Sequence, residues 1–63
     1  MRHTLNDYLN TYDADNLVIL LFGTHSVVIN MDEPGSFALL GIFGTTQFNF
    51  VFHNDDELVL RYA

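Results

Sequence analysis

Cysteine and lysine are both absent from this 63-residue sequence. The absence of cysteine excludes disulfides and every metal site that needs a thiolate ligand. The absence of lysine leaves two arginines against eight acidic residues, so the formal net charge is −6 and the pI is near 4.4. Proteins that bind nucleic acid need a basic surface, so direct binding of DNA or RNA is not expected, and anionic membranes are disfavoured for the same reason.

Long apolar runs are also absent. The longest, residues 17–22, is far too short to span a bilayer, and no signal peptide is recognisable. We therefore expect a soluble, cytosolic protein. A chain of this length forms one domain, over residues 1–63, and buries only about 60% of the surface that its unfolded form exposes. Its hydrophobic share of 49%, with six phenylalanines, is more than one small monomer easily hides.

The clearest structural pattern is a β-hairpin over residues 47–62. Three phenylalanines alternate with other residues from position 48 to 52, which is typical of a half-buried strand. The sequence Asn-Asp-Asp at residues 54–56 favours a turn, and alternation then resumes through Leu58, Leu60 and Tyr62. The tip of this hairpin carries Asp55, Asp56 and Glu57.

The N-terminal region predicts a short helix followed by a central strand. Thr4 and Asp7 have the spacing of a helix-capping box, and a stripe at helical spacing follows (Leu5, Tyr8, Leu9 and Tyr12). Residues 13–16 end the helix. Residues 17–22 are apolar at every position, which indicates a central strand covered on both faces.

The middle of the chain predicts a second strand at residues 27–31 and a turn at residues 32–36. Residues 37–43 favour a strand by length, with a short helix as the alternative. The expected fold is therefore α+β, with one N-terminal helix packed on a five-stranded, mostly antiparallel β-meander.

This topology gathers most of the acidic residues at one end of the sheet. Successive turns of an antiparallel meander alternate between the two ends, so every second connection shares an end. These connections hold seven of the eight acids, namely Asp13, Asp15, Asp32, Glu33, Asp55, Asp56 and Glu57. The same placement follows if residues 37–43 are helical, because they still cross from one end to the other.

Other candidate sites are weaker. Residues 13–16 resemble the start of a calcium loop, but apolar residues occupy the next ligand positions. His3, His25 and His53 lack metal-ligand spacing, and neither Ser26 nor Ser36 has the context of a catalytic nucleophile. We expect neither an enzyme nor a cofactor.

The apolar strands raise a second question, because one helix covers only one face of a five-stranded sheet. The other face must curl on itself, bind a partner or form a homodimer. The three phenylalanines at positions 48, 50 and 52 are expected under the helix.

The opening pattern (Thr4 to Leu9, then Tyr12 to Asp15, then a strand from Leu17) resembles small helix–acidic turn–strand proteins of phages and mobile elements. In its small size, its acidity without lysine and its compact sheet, the protein is similar to the anti-CRISPR and anti-restriction inhibitors that act as DNA mimics. It is most similar to the inhibitors of type I CRISPR complexes. The resemblance implies an inhibitor that binds the DNA- or PAM-reading surface of a Cas effector subunit in the host bacterial cytoplasm.

Two functional hypotheses follow. The first is a non-enzymatic inhibitor whose seven acidic residues bind a basic groove of a DNA-binding protein from a CRISPR or restriction system. The second is a small homo-oligomeric structural or accessory module that uses its apolar sheet face. A weak calcium-binding module is a third alternative.

Overall fold

A computed structural model describes residues 2–12 and 16–63 and has an α+β fold. The described residues form five strands and two helices: β1 (Arg2–Thr4), α1 (Leu5–Thr11), β2 (Leu17–Phe22), β3 (His25–Asn30), α2 (Ser36–Phe43), β4 (Gln47–His53) and β5 (Glu57–Tyr62). The strands form one sheet in the order β1-β4-β5-β2-β3. Both helices pack on the same face of this sheet, over a buried core of Leu5, Tyr8, Val18, Leu20, Ile29, Phe48, Leu58 and Leu60.

Helix α1 begins where the sequence predicts, and the capping box is confirmed. The Thr4 hydroxyl accepts from the backbone N–H of Asp7, and the Asp7 carboxylate accepts from that of Thr4, both at 3.2 Å. Leu5 and Tyr8 are buried under the helix, and the Tyr8 hydroxyl donates to the Phe48 carbonyl at 2.9 Å. The predicted stripe therefore anchors the helix on the sheet, because its apolar side reaches strand β4.

The prediction of a strand at residues 37–43 is wrong, since this segment lies in helix α2. Leu39, Leu40 and Phe43 pack against the core at helical spacing, and Phe43 contacts the ring of Phe22 at 5.5 Å between centroids. Helical geometry places these three side chains on one side, whereas a strand would alternate them. The sheet still has five strands because Arg2–Thr4 pairs with β4 as an edge strand that the sequence did not reveal.

The predicted meander is also wrong, because β2 and β5 pair in parallel. The other three pairings (β1 with β4, β4 with β5, and β2 with β3) are antiparallel. Helix α2 carries the chain back across the sheet, so β4 starts at the end from which β3 came. The final strand then inserts between β4 and β2, and the sheet is mixed although mostly antiparallel.

Strand β2 is central as predicted, but the expected cover on both faces is wrong. Val18 and Leu20 are fully buried beneath the helices. Leu17, Ile19 and Leu21 point to the opposite face and are half-buried. Both helices cover one face, so among the described residues no element covers the other.

The last hairpin forms as predicted, but its three phenylalanines do not share a face. Phe48 is fully buried and Phe50, opposite Leu60, lies on the same face. The register shifts between Phe50 and Phe52, as at a β-bulge, so Phe52 pairs with Val59 and points to the opposite face. The alternation in the sequence continues through the bulge, which is why sequence alone assigns all three to one side.

Candidate functional site

Two acidic turns lie at the same end of the sheet, on either side of the start of β2. The register pairs Leu17 with both Asn30 and Glu57, so the start of β2, the end of β3 and the start of β5 share this end. The backbone N–H of Leu17 donates to the Asp56 carbonyl at 3.1 Å, and that of Met31 donates to the Asn16 carbonyl at 2.8 Å. The turns that follow β3 and β4 therefore flank Asn16.

We define the acidic end as the described acids of these turns: Asp32, Glu33, Asp55, Asp56 and Glu57. All are exposed except Glu57, which is half-buried. Asp13 and Asp15, which the sequence predicts at the same end, lie outside the described residues. The eighth acid, Asp7, caps helix α1.

The turn after β4 is held by one side chain, the amide of Asn54. Its oxygen accepts from the backbone N–H groups of Asp56 and Glu57, at 2.8 and 2.9 Å. The Asn54 N–H also donates to the Glu57 carbonyl at 3.0 Å. The Asp56 carboxylate in turn accepts from the side-chain amide of Asn16 at 3.4 Å. These bonds fix the backbone of the turn, from which the side chains of Asp55 and Asp56 project into solvent.

The turn after β3 is also ordered by an asparagine. The side-chain oxygen of Asn30 accepts from the backbone N–H of Asp32 at 3.0 Å, and its carbonyl accepts from that of Glu33 at the same distance. An asparagine at a strand end thus orders each acidic turn, since its amide replaces a backbone acceptor. The carboxylates of Asp32 and Glu33 remain exposed.

Both arginines lie in one row across the far end of the sheet. Arg2 pairs with Asn49, and Asn49 pairs with Arg61. Arg61 is also opposite Leu21, whereas Glu57 is opposite Leu17 at the other end of the same two strands. The acidic end and the two arginines therefore lie at opposite ends of the strands. Sequence reasoning missed this row because it did not find β1.

A second notable surface is the sheet face opposite the helices, which we call the open face. Val28 and Phe52 are 53% and 45% exposed there, and half-buried side chains adjoin them (Leu17, Ile19, Leu21 and Val59). None of these belongs to the core or packs against it. The sequence signalled this surface by apolar residues at consecutive positions of β2.

The histidines lie apart. His25 is exposed at the start of β3, His53 packs on the ring of Tyr12 at 4.8 Å between centroids, and His3 meets the ring edge of Tyr8 at 5.7 Å. Within residues 2–12 and 16–63, no group of three or more histidine or acidic side chains is placed to hold a metal ion. Ser26 is exposed and Ser36 is buried at the start of α2.

The groove beside helix α1 is small. It encloses about 170 Å³ between His3, Asp7, Tyr8, Thr11 and Tyr12, whereas pockets for drug-sized ligands measure roughly 300–1,000 Å³. Neither helix in the described part of the chain has the length and apolarity needed to cross a membrane. Comparison with protein-family models, curated proteins and solved structures finds no match to this chain.

Proposed function

We propose that the protein is a non-enzymatic inhibitor that presents its acidic end to a basic, nucleic-acid-binding groove of another protein. The observation that carries the proposal is the alignment of two ordered acidic turns at one end of the sheet, with both arginines in a row at the other. The complete contact surface comprises Asp13, Asp15, Asp32, Glu33, Asp55, Asp56 and Glu57.

The spacing of the turns suits imitation of a phosphate backbone. Strand β2 lies between the two turns, and neighbouring strands are about 4.8 Å apart, so the carboxylates of one turn lie roughly 10 Å or more from those of the other. Duplex DNA carries a phosphate about every 3.4 Å along each strand. Because Asn30 and Asn54 already order the turns, their backbone loses little further freedom on binding.

The target that fits this surface is a DNA-binding protein of a CRISPR or restriction system, in the host bacterial cytoplasm. The anionic acidic end would occupy the groove in place of DNA and block DNA or PAM recognition. Its long-range field would accelerate the encounter, since opposite charges steer association. This protein would require no cofactor.

A competition assay against purified DNA-binding effector subunits tests the proposal. We expect binding that duplex DNA displaces and that weakens steeply between about 0.05 and 0.5 M salt. A triple variant (Asp32→Asn, Asp55→Asn and Asp56→Asn) should bind about ten- to a hundredfold more weakly at low salt, mainly through slower association. Asparagine retains a side-chain acceptor, so the turns should stay ordered.

The matched control is Asp7→Asn, which removes the one acid of helix α1 and keeps an acceptor for the Thr4 N–H. We expect it to bind like the parent protein. Equal binding by the triple variant and the parent would exclude the acidic end as the contact surface. So would binding that salt and DNA leave unchanged.

The exposed apolar side chains of the open face favour a second candidate function, an accessory module that works through this face. Its binding would be insensitive to salt and to the Asp→Asn changes. The same competition assay therefore separates the two functions.

A further inference from the structure

The open face is one of the two broad faces of this two-layer molecule, and β5 is its middle strand in the order β1-β4-β5-β2-β3. Its apolar side chains extend over β2, β3, β4 and β5 (Leu17, Ile19, Leu21, Val28, Phe52 and Val59). A contiguous apolar face of this kind on a small domain marks an interaction surface.

Strand β5 adds opposite charges at the two ends of this face. Glu57, Val59 and Arg61 all point to it, because they are opposite Leu17, Ile19 and Leu21 of β2. Four residues of a strand span about 13 Å, so Glu57 and Arg61 are too far apart to pair within one molecule. The pattern acid–apolar–base is therefore complementary to itself when read in the reverse direction.

We propose that the open face joins two copies of this chain in a symmetric dimer, with β5 of one copy antiparallel to β5 of the other. A two-fold axis that passes over Val59 and crosses the strands brings Glu57 of each copy opposite Arg61 of the second copy. Such an interface is isologous, so the pair forms twice. The sheets pack face to face, as in a β-sandwich, about 10 Å apart.

The charge distribution selects this direction of packing. With the strands antiparallel, the two acidic ends lie at opposite ends of the dimer. With the strands parallel, the acidic ends would lie together, and each molecule carries a net charge of −6, so repulsion opposes that arrangement. The proposal rests on the open face: in the dimer Glu57 faces the second copy, and the other described acids of the acidic end (Asp32, Glu33, Asp55 and Asp56) remain free for the proposed contact, so the dimer does not depend on what they bind.

The area that a specific interface needs is compatible with the size of this protein. A specific interface buries about 800 Å² per partner, which is roughly a fifth of the 4127 Å² surface of this protein. Chains of this size also gain most from association, because a single small core stabilises them only marginally.

Sedimentation equilibrium on two charge-reversal variants, Glu57→Arg and Arg61→Glu, tests the proposal. At concentrations up to about 100 µM the parent protein should dimerise, and each variant alone should do so about tenfold more weakly, because like charges then meet twice. An equal mixture of the two variants should associate again, since one variant is positive at both positions and the other is negative at both. Native mass spectrometry should identify this species as the mixed dimer.

Two apolar-surface variants complete the test. Val28→Asp lies on the open face at an exposed site of an edge strand, so it should fold, and it should weaken the dimer about a hundredfold by burying a charge. Phe37→Asp, on the outer side of helix α2 where Phe37 is 80% exposed, should leave the dimer intact.

A parent protein that stays monomeric at the highest concentration would overturn the proposal. It would also be overturned by a dimer that survives Val28→Asp, by one that Phe37→Asp abolishes, or by variants that show no preference for the mixed dimer. Because none of the readouts involves a DNA-binding target, failure here leaves the proposed function standing, and the reverse also holds.

Discussion

At the scale of single residues, two asparagines shape the candidate site. Asn30 ends β3 and Asn54 directly follows β4, and each side-chain oxygen accepts a backbone N–H two residues further on, from Asp32 and Asp56. The sequence predicts the turn at Asn54 because an asparagine side chain bonds to nearby backbone, whereas it places Asn30 inside a strand at residues 27–31 and predicts the other turn only from residues 32–36. The acids that follow are thus held by a neutral residue, which adds no charge to an already anionic surface.

Replacing Asn54 tests this role. Asn54→Ala removes the acceptor of two backbone N–H groups, those of Asp56 and Glu57. Because water can take over part of this bonding at an exposed turn, we expect the free energy of unfolding to fall by about 1 kcal/mol. Urea denaturation measures the change.

Asn54→Asp is the matched control, since a carboxylate oxygen accepts the same two bonds, and it should lose less stability than Asn54→Ala at high salt. If the two variants were equally destabilised under that condition, the side-chain oxygen would not be what orders the turn.

At the scale of elements, helix α2 shows how tertiary contacts decide an ambiguous segment. Its residues are almost all apolar, so no periodicity distinguishes helix from strand. Phe37 and Ile42 are exposed while Leu39, Leu40 and Phe43 face the core. Packing of these three against the sheet offsets the cost of a glycine in the helix interior.

Two glycines of this region should respond oppositely to alanine. A Cβ at Gly41 would meet nothing within 4 Å, so Gly41→Ala should stabilise the protein by about 1 kcal/mol through helix propensity. A Cβ at Gly44 would lie 2.6 Å from the Leu40 carbonyl oxygen and 2.9 Å from the side-chain nitrogen of Asn6.

Gly44→Ala should therefore destabilise the protein, by about 1–3 kcal/mol. The carbonyl of Gly44 also accepts from the backbone N–H of Asn6 at 3.0 Å, so a shift at this site disturbs the start of α1. Thermal melts of both variants measure the effects. Changes of the same sign would contradict the close packing at Gly44 or the open space at Gly41.

At the scale of the whole molecule, charge is arranged along the strands. Five described acids lie at one end, and Arg2 and Arg61 lie in one row at the other. Like charges gathered at one end repel in the folded state more than in the extended chain, so this arrangement lowers stability at low ionic strength.

Salt should therefore stabilise the folded protein. Between about 0.01 and 0.2 M sodium chloride we expect the Tm to rise by about 4–8 °C, which corresponds to roughly 1 kcal/mol for a chain of this size. The Asp32→Asn, Asp55→Asn and Asp56→Asn triple variant should show a smaller rise. The Tm of the parent and of the triple variant should be measured in the Val28→Asp background, so that association does not contribute. A Tm that is independent of salt would show that repulsion at the acidic end does not lower the stability of the fold.

Local chemistry in the sequence determined the start of α1, the hairpin of β4 and β5, and the two asparagine-led acidic turns. Thr4 with Asp7, and Asn54 with the acids after it, act within three residues of one another, so their geometry does not depend on the rest of the fold. The common location of the described acidic turns also followed from the sequence, because it requires only that each segment crosses the sheet.

The tertiary structure decided the features that depend on distant neighbours. Strand β1 is three residues long and exists because it pairs with β4, more than forty residues away. The parallel pairing of β2 with β5, the helical state of α2 and the bulge beyond Phe50 likewise depend on which surfaces meet. The row of arginines and the open face follow from these pairings, since a strand's local pattern shows that its sides alternate but not which side the helices will cover.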